Sequence, residues 1–386
     1  MKILWGSPLP PTRSGVSDYA VELLAELGTR ARVRVLAPPE GVQKDIWTFG
    51  NGVEMVPTDT SPDIDEVSLI HIGNNPYHAW LLARLQGPKT VVVLHDLVLH
   101  HLLVEAADGD GILLETGLRE AHGEAGAALA RARQFGLTGS RDPFLFPARG
   151  AFLGSVTGVI VHSRWAEVIM EREFPDLPRA RMGLAVADPG NVVRAAERGR
   201  LGIPPDEVVL MHLGFLTPEK GLEQILTGVA AAKKSGVPVR LILVGEGKIT
   251  EDVQVAASAV DVESRVSTTG WVDPEAFPAI PAAADLGVVL RTPSAGETSA
   301  AAVRFMAAGT PVAVSGLHQF LEWPEEAAPR LTPGPSAPAE LARLLAVASA
   351  GGKAWDLRRR AARGAYEANH RPADAAQSIV RFLESF

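Results

Sequence analysis

The sequence has no cysteine among its 386 residues. Disulfides, thiolate nucleophiles and thiolate metal sites are therefore excluded, and the absence fits a reducing compartment, so the expected location is the cytoplasm. No apolar run approaches the eighteen or so residues needed to cross a bilayer. The opening Met-Lys-Ile-Leu-Trp is too short for the apolar region of a signal peptide and runs into Gly6 and Pro8. An excess of positive charge is missing as well. The net charge is −8, with 17 Lys and Arg against 22 Asp and Glu in residues 1–187 and 20 against 23 in the remainder. Neither part carries the basic footprint of a nucleic-acid-binding protein. The arginines at 358–360 read as a solvated helix face and leave room only for weak peripheral contact with a membrane.

What is present is a chain of 46% hydrophobic and 21% charged residues, ordinary for a soluble globular protein and long enough for two domains. Apolar strand candidates lie at 2–5, 33–37, 69–72, 90–94 and 158–162. A second series lies at 208–213, 239–244, 266–269, 286–290 and 312–314. Helical stretches separate them, and the strands are apolar throughout, as in parallel sheets covered on both faces. The fold class is therefore α/β with two doubly wound domains. The linker falls within 181–206, which is rich in Gly, Pro and Asp. The expected division is 1–187 and 188–369, followed by an amphipathic helix at about 370–386, with Ile379, Val380, Phe382 and Leu383 on one side.

Residues 291–315, RTPSAGETSAAAVRFMAAGTPVAVS, carry the most chemistry. They follow an apolar strand, pass through a loop of small residues and enter a helix expected from about 298 to 308, stopped by Gly309 and Pro311. Gly296, Glu297, Thr298 and Ser299 stand at the mouth. Unpaired amides and the positive helix end make a seat for phosphate there, and Glu297 beside it could bind sugar hydroxyls.

Other candidates sit at strand ends, where open α/β sheets bind ligands. Gly15 lies in the loop after the first strand. His95-Asp96 end the strand at 90–94, with His100 and His101 in a helix just after. A lone histidine is more often a satisfied core residue than a catalyst, and His71, His78, His122 and His162 show no metal-ligand spacing. Lys220 lies in the turn GFLTPEKG and can meet a diphosphate as a point charge. The segment Gly245-Glu-Gly-Lys248 has the spacing of neither a Walker A loop nor a dinucleotide fingerprint. Asp63-Ile-Asp65 precedes a strand instead of ending one, and 108–111 lacks the remaining ligands of a calcium loop, so both read as solvated loops.

Taken together and in this order, Ser14-Gly15, Val93-Leu-His-Asp96, GFLTPEKG, Val244-Gly-Glu-Gly247, Gly270-Trp-Val272 and GETSAAAVRFMAAGTPV resemble the retaining glycosyltransferases of family 4, of the GT-B fold. Asn74-Asn75-Pro-Tyr-His78 resembles a bacterial branch of that family. The resemblance implies two Rossmann-like domains facing across a cleft, the acceptor mainly on the first and a nucleotide-sugar donor mainly on the second. It implies that the last helix returns to the first domain and that no metal or other cofactor is required. By position, Lys220 would hold the donor diphosphate and Gly15 would approach the same phosphates. His95 would lie beside the sugar and Glu297 would contact its hydroxyls. Thr298 and Ser299 would offer amides, with Gly296 in the same loop, and Val244, Gly245, Trp271 and Val272 would border the base.

Two positions depart from the family pattern. Phe215 stands where an arginine is usual, and Arg291, at a neighbouring strand end, is the expected substitute. Arg304 stands where a second glutamate usually takes the ribose. A guanidinium cannot accept a hydroxyl proton, so Arg304 is expected to favour phosphate. The expected function is retaining transfer of a sugar from a nucleotide diphosphate to an acceptor hydroxyl of a glycan, lipid or small molecule, with Lys220, Glu297 and His95 at the chemistry. The alternatives are a phosphorylase or epimerase of the same fold and a non-catalytic nucleotide-sugar-binding protein.

Overall fold

The computed structural model describes residues 1–39, 52–247, 252–273 and 275–386. The chain divides into two compact units. The first comprises Met1–Ala185, Ala295–Thr298 and Pro372–Phe386, and the second Val186–Ser294 and Ser299–Arg371.

The sheet of the first unit contains β1 (Lys2–Gly6), β2 (Arg32–Leu36), β3 (Val53–Val56), β4 (Glu66–Ile72), β5 (Thr90–Leu94), β6 (Gly158–Val161) and β7 (Arg179–Arg181). Their order is β3-β2-β1-β4-β5-β6-β7, and every pairing is parallel. The order reverses between β1 and β4, which opens a crevice at the carboxyl ends of the strands. Every residue of β4 and β5 is buried, as their apolar composition requires. Glu66 is the charged exception at 2% exposure. Its carboxylate accepts from Arg34 Nε at 3.0 Å and from the Asp63 amide at 3.0 Å, so the buried charge is paired. Asp65 pairs with Lys2 at 2.9 Å beside it. The helix Gly15–Leu27 is capped by Ser14, whose hydroxyl accepts from the Ser17 amide at 3.1 Å. It packs against the helix Pro372–Leu383, which buries Ala375, Ala376, Ile379 and Leu383.

The second unit repeats the plan with β8 (Val208–Leu213), β9 (Val239–Val244), β10 (Val266–Gly270), β11 (Leu286–Val289), β12 (Val312–Ser315) and β13 (Arg330–Leu331). The order β10-β9-β8-β11-β12-β13 reverses between β8 and β11. Asp285, at the start of β11, accepts from the Val209 amide at 2.9 Å, Arg198 at 3.1 Å and Arg194 at 2.5 Å. These bonds tie the helix Arg194–Arg200 to the amino edge of the sheet.

Each strand expected from the sequence is present, with ends moved by up to three residues. The stretch 69–72 extends back to Glu66, because a charge at a strand's start can be buried when it is paired. The segment 181–206, expected to hold the break between domains and a charged helix-like piece, contains the last residue of β7 and the helix Arg194–Arg200. The helix expected at 298–308 is Ala300–Ala307, with Ser299 as its cap. Ala295–Thr298 count with the first unit although chain position suggested the second.

Ile379 is fully buried on the helix Pro372–Leu383. Ile379→Ala should lower the unfolding free energy by about 2–4 kcal/mol. Urea denaturation followed by circular dichroism measures it, and a loss well under 1 kcal/mol would mean that this helix adds little to the first unit.

Candidate functional site

In the first unit, the carboxyl ends of β1, β4 and β5 gather a cluster of rings. His71 Nδ1 lies 3.0 Å from His95 Nε2, and the rings stack with centroids 5.3 Å apart. His162 follows at 5.0 Å from His95, and Tyr19 meets His95 edge-on at 5.1 Å. Trp5 closes the far side, 4.0 Å from His71, with its indole nitrogen donating to Ser7 Oγ at 2.7 Å. Burial drives the histidines toward the neutral form. His71 and His95 lie well below the usual value, with His162 as a further cause, and His78 falls to about 4. Among the described residues, no group of three His, Asp or Glu side chains is arranged to hold a metal ion.

Asp96 and Asn74 frame this cluster. Asp96 Oδ2 accepts from the Asn74 amide at 2.7 Å, and Asn74 Oδ1 accepts from the His101 amide at 2.9 Å, so Asn74 ties the end of β4 to the helix His100–Ala107. Ala295 O accepts from the amides of Leu97 and Val98 at 2.7 and 3.1 Å. At Gly296 φ is +78°, and an added Cβ would lie 2.7 Å from the Leu97 side chain, so only glycine fits this contact. The outcome is a recess in the first unit lined by His95, Asp96, His162, Ser163, Gly296 and Thr298. The Thr298 hydroxyl is buried and has no partner among the described residues. Glu297 is half-buried, and Gly15 is exposed at the start of its helix with open space where a Cβ would stand.

In the second unit, the turn after β9 crosses the turn after β8. Gly245 takes φ +131°, and a Cβ there would lie 2.5 Å from Gly214 O. The Gly214 amide donates to Val244 O at 2.9 Å and the Leu216 amide to Glu246 O at 3.0 Å, while the Gly245 amide reaches Gly270 O at 3.1 Å. The turn after β8 thus holds Lys220 with its amine 3.4 Å from the Cβ position of Gly214. The loop after β11 joins it, since the Thr292 amide donates to Glu219 O at 2.9 Å and the Arg291 amide to Ser315 Oγ at 2.9 Å. Buried His212, at the end of β8, senses both cations. Burial is the main cause of its fall to about 3, followed by the charges of Lys220 and Arg291. Two positive charges therefore converge at the switch point of this sheet. Phe215 follows β8 and Trp271 follows β10, and both are partly exposed, at 38% and 44%.

The expected donor-binding residues divide under this geometry. Lys220, Arg291, Phe215, Gly245 and Trp271 lie on loops at the carboxyl ends of the strands. Val244 is a buried strand residue that can present only backbone, and Val272 packs half-buried against the core. Arg304 is 6% exposed, and its guanidinium lies 5.3 Å from the Phe277 ring centroid. The helix Ala300–Ala307 thus buries the face on which Arg304 stands. Ser299 Oγ accepts from the Ala302 amide at 3.3 Å and Ser299 O from Val303. The amides of Ser299, Ala300 and Ala301 have no intrahelical acceptor at this helix start. Lys248 lies outside the described residues. His71, Tyr19 and Asn74 were not anticipated as parts of a site. The sequence signal for His71 was its place at the end of the strand that neighbours β5.

Residues 207–349 match the family described as Glycosyl transferases group 1. A 2-deoxystreptamine glucosyltransferase of Streptomyces kanamyceticus is 32% identical over 163 residues, covering 42% of this chain and 41% of the relative. The chain thus spans less than half the length of that relative. A structure of Anabaena Alr3699/HepE in complex with UDP-glucose superposes over 100% of both chains with TM-score 0.68 and 17% identity. Sucrose-phosphate synthase from Thermosynechococcus elongatus superposes over 100% of this chain and 98% of its own with TM-score 0.70 and 16% identity. Both likenesses show the fold, which is GT-B, with two Rossmann-like domains.

The buried histidines predict a direction of pH dependence. Between pH 6.5 and about 4 the unfolded chain binds a proton that folded His78 refuses, so stability is full above that window and falls as pH drops through it. In His78→Asn, which keeps a donor for His71 O, the slope of unfolding free energy between pH 6 and 4.5 should lessen by up to about 1.4 kcal/mol per pH unit. Urea titrations across this range measure it. An identical slope would show that folded His78 protonates freely.

Proposed function

We propose, for a chain whose residues 207–349 match glycosyl transferases group 1, that it moves a sugar from a nucleotide diphosphate to an acceptor hydroxyl with retention at the anomeric carbon. The observation that carries this reading is the placing of Lys220 and Arg291 on two turns, after β8 and after β11, that the Thr292 amide joins to Glu219 O at 2.9 Å. A diphosphate is the ligand chemistry that two cations on adjacent turns suit best, and the amides of Ala300 and Ala301 add donors at a positive helix end. Phe215, Gly245 and Trp271 are assigned to the nucleoside side of the donor, with partly exposed aromatic rings able to meet a base face. Glu297 and His95 are assigned to the transferred sugar, and Gly15 to the approach of backbone toward phosphate. Arg291 supplies the charge that Phe215 does not. Arg304 is assigned a packing role.

In this mechanism the work lies in stabilising the charge that develops on the leaving diphosphate. Lys220 and Arg291 are fixed by backbone bonds before the substrate arrives, so little reorganisation is needed during reaction. His95, kept neutral by burial, orients the substrate and does not remove a proton. The leaving phosphate oxygen takes the proton of the acceptor hydroxyl. UDP-glucose, bound by HepE, is the first donor to test.

Lys220→Ala should lower turnover of a nucleotide sugar by about a hundredfold while the protein stays folded. Donor consumption and product identity, followed by mass spectrometry with a hydroxyl acceptor, water or inorganic phosphate, check it. Unchanged turnover in folded Lys220→Ala would remove this lysine from the mechanism. Product formed only with inorganic phosphate would favour a phosphorylase, and binding with no donor consumption would favour a non-catalytic role.

A further inference from the structure

The ring cluster of the first unit carries an inference about how His95 is protonated, and it rests on the reading just given for His95. His71 Nδ1 and His95 Nε2 are 3.0 Å apart. Burial keeps both rings neutral, so a single proton lies between these two nitrogens. One ring must donate and the other accept. The direction follows from the other nitrogen of His71. His71 is fully buried, and its Nε2 has no hydrogen-bond partner among the described residues. An N–H left unpaired in such a place is rare, because it forfeits a strong bond to water, whereas an unpaired lone pair is better tolerated. The His71 proton therefore sits on Nδ1 and points at His95 Nε2. With Nε2 occupied as an acceptor, the proton of His95 itself must be on Nδ1. His95 is only half-buried, and it lines the recess with Asp96 and His162.

We propose that His71 is a positioning residue that fixes His95 as the neutral Nδ1–H tautomer, so that His95 meets the sugar as a hydrogen-bond donor and cannot serve there as a base. The neighbours fit this assignment. Trp5 packs at a tilt 4.0 Å from His71 and Tyr19 sits edge-on to His95, so neither ring is free to turn and exchange its nitrogens. The His71 carbonyl is held in turn by His78 Nδ1, which donates to it at 2.9 Å. The device depends on adjacent strand ends. His71 lies in β4 opposite Val93 of β5, and His95 follows that strand directly.

Nitrogen-15 NMR of histidine-labelled protein reads the tautomers without any turnover, and His95→Asn and His71→Asn assign the signals. The expected result is a pyrrole-type Nδ1 and a pyridine-type Nε2 for both His71 and His95 at neutral pH. In His71→Phe, which keeps an aromatic ring but lacks the donor, His95 should become a mixture of tautomers. The same variant should lose about tenfold in kcat, the worth of one hydrogen bond, with little change in KM for the donor. His71→Asn places an amide N–H near the position of Nδ1–H and should restore both the tautomer and most of the rate. A pyridine-type Nδ1 on His95 in the wild-type protein would overturn the proposal, as would a single Nδ1–H tautomer that persists in His71→Phe. Either result would leave glycosyl transfer intact. Absence of turnover with every nucleotide sugar would defeat the functional reading and leave the tautomer assignment standing on the spectra.

Discussion

The second unit depends on the crossing of two backbone turns. The turn after β9 passes so close to the turn after β8 that a single added carbon at Gly245 would strike Gly214 O at 2.5 Å. That contact, with the bonds from Gly214 to Val244 and from Leu216 to Glu246, fixes the path of the chain into Lys220. The main-chain geometry of this crossing therefore sets where the lysine stands. Arg291 is positioned in a similar way, with its amide on Ser315 Oγ and the next amide on Glu219 O. An anion seated at these turns would meet both charges. His212 registers the same field and stays neutral beneath it.

The first unit solves the opposite electrostatic problem. Its strand ends hold histidines that burial keeps neutral, packed against Trp5 and the edge of Tyr19. Neutral rings hold hydrogen-bond direction without bringing charge, which suits contact with hydroxyl groups better than with phosphate. The division of labour proposed for the two units thus has a physical basis in their side chains. One unit places positive charge at its switch point, while the other gathers neutral rings beside Asp96.

Much of this fold was legible because its central strands are buried on both faces and so are written as unbroken apolar runs. β5, β8 and β9 begin and end at the residues that the sequence suggested. The strands that escaped are short or lie at the sheet edges. β3 is half-exposed, β7 is Arg-Ala-Arg, and β13 has two residues. Partial exposure erases the apolar signal on which the reading relied. Lys220 and the small-residue loop stand out in the sequence as candidates by their place at strand ends and by the resemblance. The burial of Arg304 was not legible, because a motif position says nothing of which helix face is buried. The pairing of His71 with His95 spans 24 residues, and only the parallel register of β4 and β5 brings it together.

The central claim is that the second unit recognises a diphosphate through Lys220 and Arg291. Calorimetric titration of the wild-type protein with UDP, GDP and ADP, each beside its parent nucleoside, tests it most directly. The account predicts that at least one diphosphate binds and that its nucleoside binds at least about a hundredfold more weakly, the worth of one or two charge-assisted hydrogen bonds. Equal affinity for nucleoside and diphosphate, or no binding of any of the three diphosphates, would contradict it.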